Sequence, residues 1–210
     1  MHLANVLHAP HGFLGRLFGR GSATEEQPML RDRPPLVAGS PAAERAAEML
    51  SAPTALLQLT RRESRAVVSY MQPHKITEGT KFIREGDNAD TGFMVLVLDG
   101  EVTIENSVAN RRAPITVSVA GPGSLIGEMG LLDGAPRSAS CIAATDVRCA
   151  VLTRDSLNRL VDDQPRTAAK LLMAIALRIA QRMRDHQEKL KLYAQLTQAM
   201  NEEINELMPH

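Results

Sequence analysis

Residues 127–140 read G-E-M-G-L-L-D-G-A-P-R-S-A-S and bring an acid and a guanidinium onto one short loop. Gly127 allows the main chain to turn tightly without a Cβ penalty, and Glu128 beside it can accept a hydrogen bond from a sugar hydroxyl. The residues that follow suit a single helical turn whose free amides face an anion. Arg137 contributes a planar, permanently charged fork matched to phosphate, and the Ser138 hydroxyl and Ala139 amide can complete the cage. A free phosphate needs no acid and a plain sugar needs no arginine. The pair together fits a ribose joined to a phosphate, provided that Glu128 and Arg137 face one cavity with room for it.

Such a loop has to be held by a rigid frame. Short β-favouring runs at 74–77, 81–84, 93–98, 101–105, 115–120, 138–143 and 148–152 are separated by Glu78-Gly79, Glu85-Gly86-Asp87, Asp99-Gly100 and Gly121-Pro122-Gly123. Strands this short, with one helical insertion at 128–132, predict a mainly β fold with helices (α+β): an antiparallel β sandwich or jelly-roll barrel over residues 73–153. Helices are expected at 42–50 and 63–71, within an N-terminal helical segment spanning 41–72. Residues 1–40, rich in Gly, Pro, Arg and Ser, read as a mobile tail. Within that tail Phe13, Leu14, Leu17 and Phe18 recur at helical spacing with Arg16 and Arg20 between them, a short amphipathic turn able to touch a partner or a lipid surface. The bland reading, a tail that tolerates a few apolar residues, is preferred, and His2, His8 and His11 lack the spacing of a metal site.

After residue 152 the chain turns helical over 154–210. A short helix at 155–161 is followed by Gln164-Pro165 as the start of a long one. Numbered by sevens, Leu172, Ile179, His186, Tyr193, Met200 and Leu207 share one seam, with Ile175 and Leu196 at d and Met183, Leu190 and Ile204 at e. A register sustained over residues 166–207 predicts a homodimer through this helix, although Arg182, Lys189 and Glu203 interrupt the d positions. A helix folded back on its own barrel would account only for the first turns.

The 210 residues carry 24 Lys plus Arg against 24 Asp plus Glu, so no overall field attracts nucleic acid or an anionic membrane. Cys141 and Cys149 show no metal-ligand spacing and read as small buried residues in a reducing compartment. No run of 18 apolar residues and no signal-peptide pattern is present, which points to the cytoplasm. A barrel metalloenzyme needs clustered His and carboxylate ligands, but the strand region holds essentially His74, so neither an enzyme nor a metal cofactor is expected. With its last residue at His210, soon after the long helix, the chain is expected not to contact DNA directly.

In the residues of the central loop the chain resembles the cyclic nucleotide-binding domain family. Its phosphate-binding cassette runs G-E-x-(A/G)-L, a short spacer, then R-(S/T)-A. The resemblance spans roughly residues 55–195 and takes in Gly79, Gly86 with Asp87, and Gly100. It implies that Glu128 holds the ribose hydroxyl and that Arg137, Ser138 and Ala139 hold the cyclic phosphate. It also implies that Gly127, Met129 and Gly130 line the ligand through main-chain atoms. The long helix is similar to the dimer helix of catabolite-activator-type members, down to the pair Glu188-Lys189. There a threonine and a serine bond the adenine base; the aligned positions here are His186 and Gln187, so the base is left open, and His186 could equally be a register-setting seam residue. The implied function is a cyclic nucleotide sensor, cyclic AMP first, signalling through a homodimer to an unidentified protein effector. The alternatives are a cyclic GMP or cyclic di-GMP receptor, or a ligand-free scaffold of the same fold.

Overall fold

The computed structural model describes residues 33–51, 59–107 and 115–207. The amphipathic turn at Phe13, Leu14, Leu17 and Phe18 and most of the N-terminal tail lie outside them. Two helices, α1 (Pro41–Ser51) and α2 (Arg61–Val68), lead into β1 (Gln72–Ile76), β2 (Lys81–Ile83), β3 (Phe93–Asp99), β4 (Val102–Asn106), β5 (Ile115–Ala120) and β6 (Leu125–Ile126). The short helix α3 (Glu128–Asp133) follows, then β7 (Ser140–Ala143), β8 (Val147–Thr153), α4 (Arg154–Asp163) and the long α5 (Pro165–Leu207).

All strand pairs are antiparallel and form two four-stranded sheets, in the orders β1-β8-β3-β6 and β2-β7-β4-β5. The arrangement is jelly-roll-like and the sheets do not close into the barrel that the sequence suggested. The unbroken apolar run F-M-V-L-V-L of β3 is explained by burial on both faces. Phe93, Val95 and Val97 point between the sheets with Ile83, Val102, Cys141 and Val151. Met94, Leu96 and Leu98 point the other way, into a second core built with helix residues Val67, Leu160, Leu171 and Ile175. β8 is used in the same two-sided way, with Cys149 and Val151 in one core and Ala150 and Leu152 in the other. β6 has no signature of its own in the sequence. Its two residues pair with Val95 and Leu96 only because the turn before them returns the chain to β3.

The helices are anchored to this frame by local chemistry. Thr60 and Glu63 form a capping box at the start of α2, and Glu63 also meets Lys170 of α5 at 2.6 Å. Tyr70 donates a 2.7 Å hydrogen bond to Asp163 at the end of α4. Before α1, Leu36 is buried and its amide bonds the carbonyl of Met71 at 2.8 Å. The first turns of α5 bury Ala168, Leu171 and Ile175. Further along, Met183, Leu190, Tyr193, Leu196, Met200 and Ile204 are all exposed, on a helix of 43 residues that spans about 65 Å. No helix among the described residues is long and apolar enough to cross a membrane.

Candidate functional site

The acid and the guanidinium of the central loop line one cavity. Glu128 is the first residue of α3, only 2% exposed, preceded by Gly127 in the left-handed conformation at φ +79°. α3 ends at Gly134, also left-handed, so the loop turns sharply at both ends. Ser138 is exposed and Ala139 half-buried on the stretch leading into β7, and both line the cavity, as do Met129, Gly130 and the apolar side chains of Ile83, Ile104 and Ile126.

Arg137 is buried, and the protein uses most of its fork. Nε and Nη2 donate to the Asp90 carbonyl at 3.1 and 2.7 Å, Nη1 donates to Gly127 O at 2.9 Å, and Nη2 donates to Phe93 O at 3.1 Å. Its guanidinium carbon lies 4.4 Å from the centroid of the Phe93 ring, a cation–π contact. Burial pulls its pKa below the ordinary guanidinium value, and the charges of Asp87 and Asp90 work against that pull. Among the described residues no carboxylate reaches it at ion-pair distance. The glycines of the loop answer to this side chain. A Cβ on Gly127 would stand 2.7 Å from Arg137 Nη1, and one on Gly130 would stand 3.1 Å from it.

The room that the sequence analysis required is not present in this conformation. The cavity between Glu128 and Arg137 measures about 60 Å³, far below the about 300–1,000 Å³ of cavities that hold small-molecule ligands. Arg182 of α5 lines it, and its Nη2 donates to Glu128 Oε1 in an ion pair. Burial lowers the pKa of Arg182 as well. On the other side of that pair lies a groove of about 620 Å³ under α5, lined by Leu125, Ile175, Arg178 and Gln181 and sharing Glu128 and Arg182 with the small cavity. Arg178 braces the groove through a 2.9 Å hydrogen bond to Gly123 O. The groove by itself is of the size that holds small-molecule ligands, about 300–1,000 Å³, and the Glu128–Arg182 pair stands between it and the small cavity.

His186 and Gln187 are exposed on α5 and line neither space. The residue that sequence reasoning missed is Arg182. It registered only as a charge spoiling a d position, and a cation in an apolar seam was the available signal. His74 is buried in β1, where burial draws it down to about 4, and Cys141 and Cys149 are free thiols that burial pushes up to about 12. These groups are therefore neutral and unreactive near pH 7. Among the described residues no three potential ligands gather around a metal position.

The profile of the Cyclic nucleotide-binding domain matches residues 73–164. A solved cyclic nucleotide-binding domain from Methylobacillus flagellatus KT is 32% identical with a TM-score of 0.62, over 68% of this chain and 79% of that one. The CRP-like cAMP-activated global transcriptional regulator of Mycobacterium tuberculosis is 27% identical over 114 residues, 54% of this chain and 50% of that protein. The Cyclic AMP receptor protein of Thermus thermophilus is 31% identical over 112 residues, 53% of this chain and 50% of that protein. The chain thus spans about half the length of the curated relatives it matches. The glutamate and the buried arginine sit on the loop between β6 and β7, inside the matched span and on the matching frame, and on these grounds the chain belongs to the cyclic nucleotide-binding domain family.

Proposed function

We propose that the chain is a receptor, not an enzyme, in which a cyclic nucleotide enters between Glu128 and Arg137 by displacing Arg182. The observation that carries this reading is a buried guanidinium without a carboxylate partner among the described residues, sharing a cavity with a buried carboxylate. The ribose hydroxyl takes over Glu128 from Arg182, and the cyclic phosphate takes the remaining N–H of Arg137 with Ser138 and the Ala139 amide. Gly127, Met129 and Gly130 face the ligand with main-chain atoms. His186 and Gln187, about one turn beyond Arg182 on α5, meet the base once α5 has moved. Cyclic AMP is the first ligand to test, supported by the names of the Mycobacterium and Thermus relatives.

Release of Arg182 is the event that α5 senses. A ligand that binds only where the Glu128–Arg182 pair is open shifts the population toward a second placement of α5. The exposed apolar side chains from Met183 to Ile204 support a homodimer through this helix, read by a protein effector in the cytoplasm, and the buried free thiols suit that reducing compartment. Sedimentation of the full chain is expected to show a dimer. Leu190→Glu with Leu196→Glu, which puts like charges on the seam, is expected to yield monomers with an unchanged melting temperature of the β-roll.

The ligand assignment is tested by calorimetry with cyclic AMP, cyclic GMP and cyclic di-GMP on the natural chain and on Arg182→Ala. One compound is expected to bind, and to bind the variant about tenfold more tightly, the equivalent of about 1.4 kcal/mol of competition removed. The occupied Glu128 and the 60 Å³ cavity favour a second reading, a ligand-free scaffold. Silence of all three compounds on both proteins would establish that one instead.

A further inference from the structure

A second arginine of α5 meets the sheets close to the cradle. Arg178 stands one helical turn before Arg182, and with Ile175 the three share the face of α5 that lines the groove. Arg178 is half-buried and donates from Nη1 to Gly123 O at 2.9 Å. Burial lowers its pKa, and it takes part in no ion pair among the described residues. A cation drawn partly out of water for a carbonyl recovers hydration on release, so water can replace this contact at modest cost.

Gly123 belongs to the turn between β5 and β6, which main-chain bonds close. Its N–H donates to Val97 O at 2.8 Å, Ser124 N–H donates to Gly121 O at 3.1 Å, and Val97 N–H donates to Ser124 O at 3.0 Å. The turn delivers β6, and Glu128 follows the end of β6 by two residues. These bonds keep the turn in place without Arg178. What the arginine fixes is α5 against the turn.

We propose that Arg178 is a positioning residue, a second latch that holds α5 over the groove and opens in the same movement as the Glu128–Arg182 pair. The two arginines are four positions apart on a continuous helix, about 6 Å along its axis, with no glycine or proline between them. A displacement of α5 that draws Arg182 from Glu128 carries Arg178 from Gly123 as well. A ligand that needs Glu128 free then works against both contacts, and removing either one favours it. This effect on the ligand rests on the cradle reading above, whereas the holding of α5 by both arginines does not.

Arg178→Met keeps the apolar stem and drops the donors. Loss of a cation near the site of an anion would by charge alone weaken binding. Loss of a latch strengthens it, by about fivefold for one hydrogen bond. In calorimetry of the full chain with cyclic AMP, cyclic GMP and cyclic di-GMP taken singly, Arg178→Met is therefore expected to bind the active compound about fivefold more tightly. Arg178→Lys, which can donate to the same carbonyl, is expected to return toward the natural affinity.

A second measurement uses no nucleotide. Ile175 is fully buried on the same face, so the thiol introduced by Ile175→Cys meets iodoacetamide only when α5 lifts. Arg178→Met and Arg182→Ala are each expected to speed its labelling about fivefold. Cys149, buried in β8, reports global unfolding and is expected to keep its slow rate. Leu171→Cys, one turn earlier and also buried, serves as the reporter if Ile175→Cys fails to fold. Replacing a merely structural arginine would speed both thiols alike without strengthening the ligand. Labelling on α5 that ignores Arg182→Ala would show that Arg182 swings alone and would overturn the shared latch. Unchanged or weaker binding by Arg178→Met would overturn it as well. If none of the three compounds binds any variant, the cradle reading fails, and the labelling alone decides the latch.

Discussion

Arg137→Ala is expected to weaken cyclic nucleotide binding more than thirtyfold and to destabilise the fold by about 3 kcal/mol. The two losses have separate causes. The binding loss follows from removing the buried cation that meets the phosphate, a contact whose truncation typically costs about 2–5 kcal/mol. The stability loss follows from the carbonyls of Asp90, Gly127 and Phe93, which Arg137 satisfies within the structure and which alanine would leave without those donors. Each buried carbonyl so abandoned costs about 1–3 kcal/mol, partly recovered where water enters. Arg137→Lys keeps the charge but not the fork, so it is expected to recover part of the binding and little of the stability. Urea denaturation and calorimetry below the unfolding transition read the two quantities independently. An alanine variant as stable as the parent would show that the carbonyl contacts carry no weight, and unchanged affinity would remove Arg137 from the site.

The second large effect is expected at the turn joining the two sheets. Gly100 follows the last residue of β3 at φ +86°, and a Cβ there would stand 2.3 Å from the main-chain oxygen of Asp146 and 2.9 Å from Thr145 Oγ1. The left-handed conformation alone costs a non-glycine residue about 1–2 kcal/mol. The oxygen is main chain, set where the chain enters β8, and does not swing aside as a side chain would. Gly100→Ala is therefore expected to lower stability by about 3 kcal/mol or more, read as a fall in the urea midpoint at constant slope. Gly121→Ala is the control: it has no left-handed φ and nothing within 4 Å of its Cβ, so a change of about 0.5 kcal/mol at most is expected. Equal effects at the two positions would refute the steric argument.

Much of the frame could be read from residue order because its causes are local. Asp99-Gly100 and Gly79 announce turns through a backbone conformation that glycine adopts freely, and both take positive φ in the fold. The 115–120 run was read at the boundaries β5 has, and the others came within a few residues of the observed strands. The Leu125–Ile126 strand was not legible, since two residues carry no period and their pairing with β3 is decided by the turn that delivers them. Residue order alone does not show that helices cover one face of β3 and the second sheet the other.

In the site the same division holds. Glu128, Arg137 and the glycines around them were legible as candidates because their chemistry is carried on one short loop, where spacing along the chain is nearly spacing in the fold. Gly127 takes the left-handed turn expected of it, and what residue order did not show is that Gly127 and Gly130 also make way for Arg137.

Residue order alone determined that this chain carries an acid and a guanidinium on a glycine-bounded loop, within an antiparallel β frame and ahead of a long helix. Glycine conformations, the reach of a guanidinium and hydrophobic periods are properties of neighbours along the chain. Tertiary structure alone decided that Arg182, 54 positions away from Glu128, closes the cradle. Successive residues of a helix point about 100° apart, so a small rotation of α5 against the sheets exchanges which side chain reaches the acid. An impure heptad seam leaves that rotation unspecified, and it is set by the burial of Ala168, Leu171 and Ile175 and by the anchors at Lys170 and Arg178.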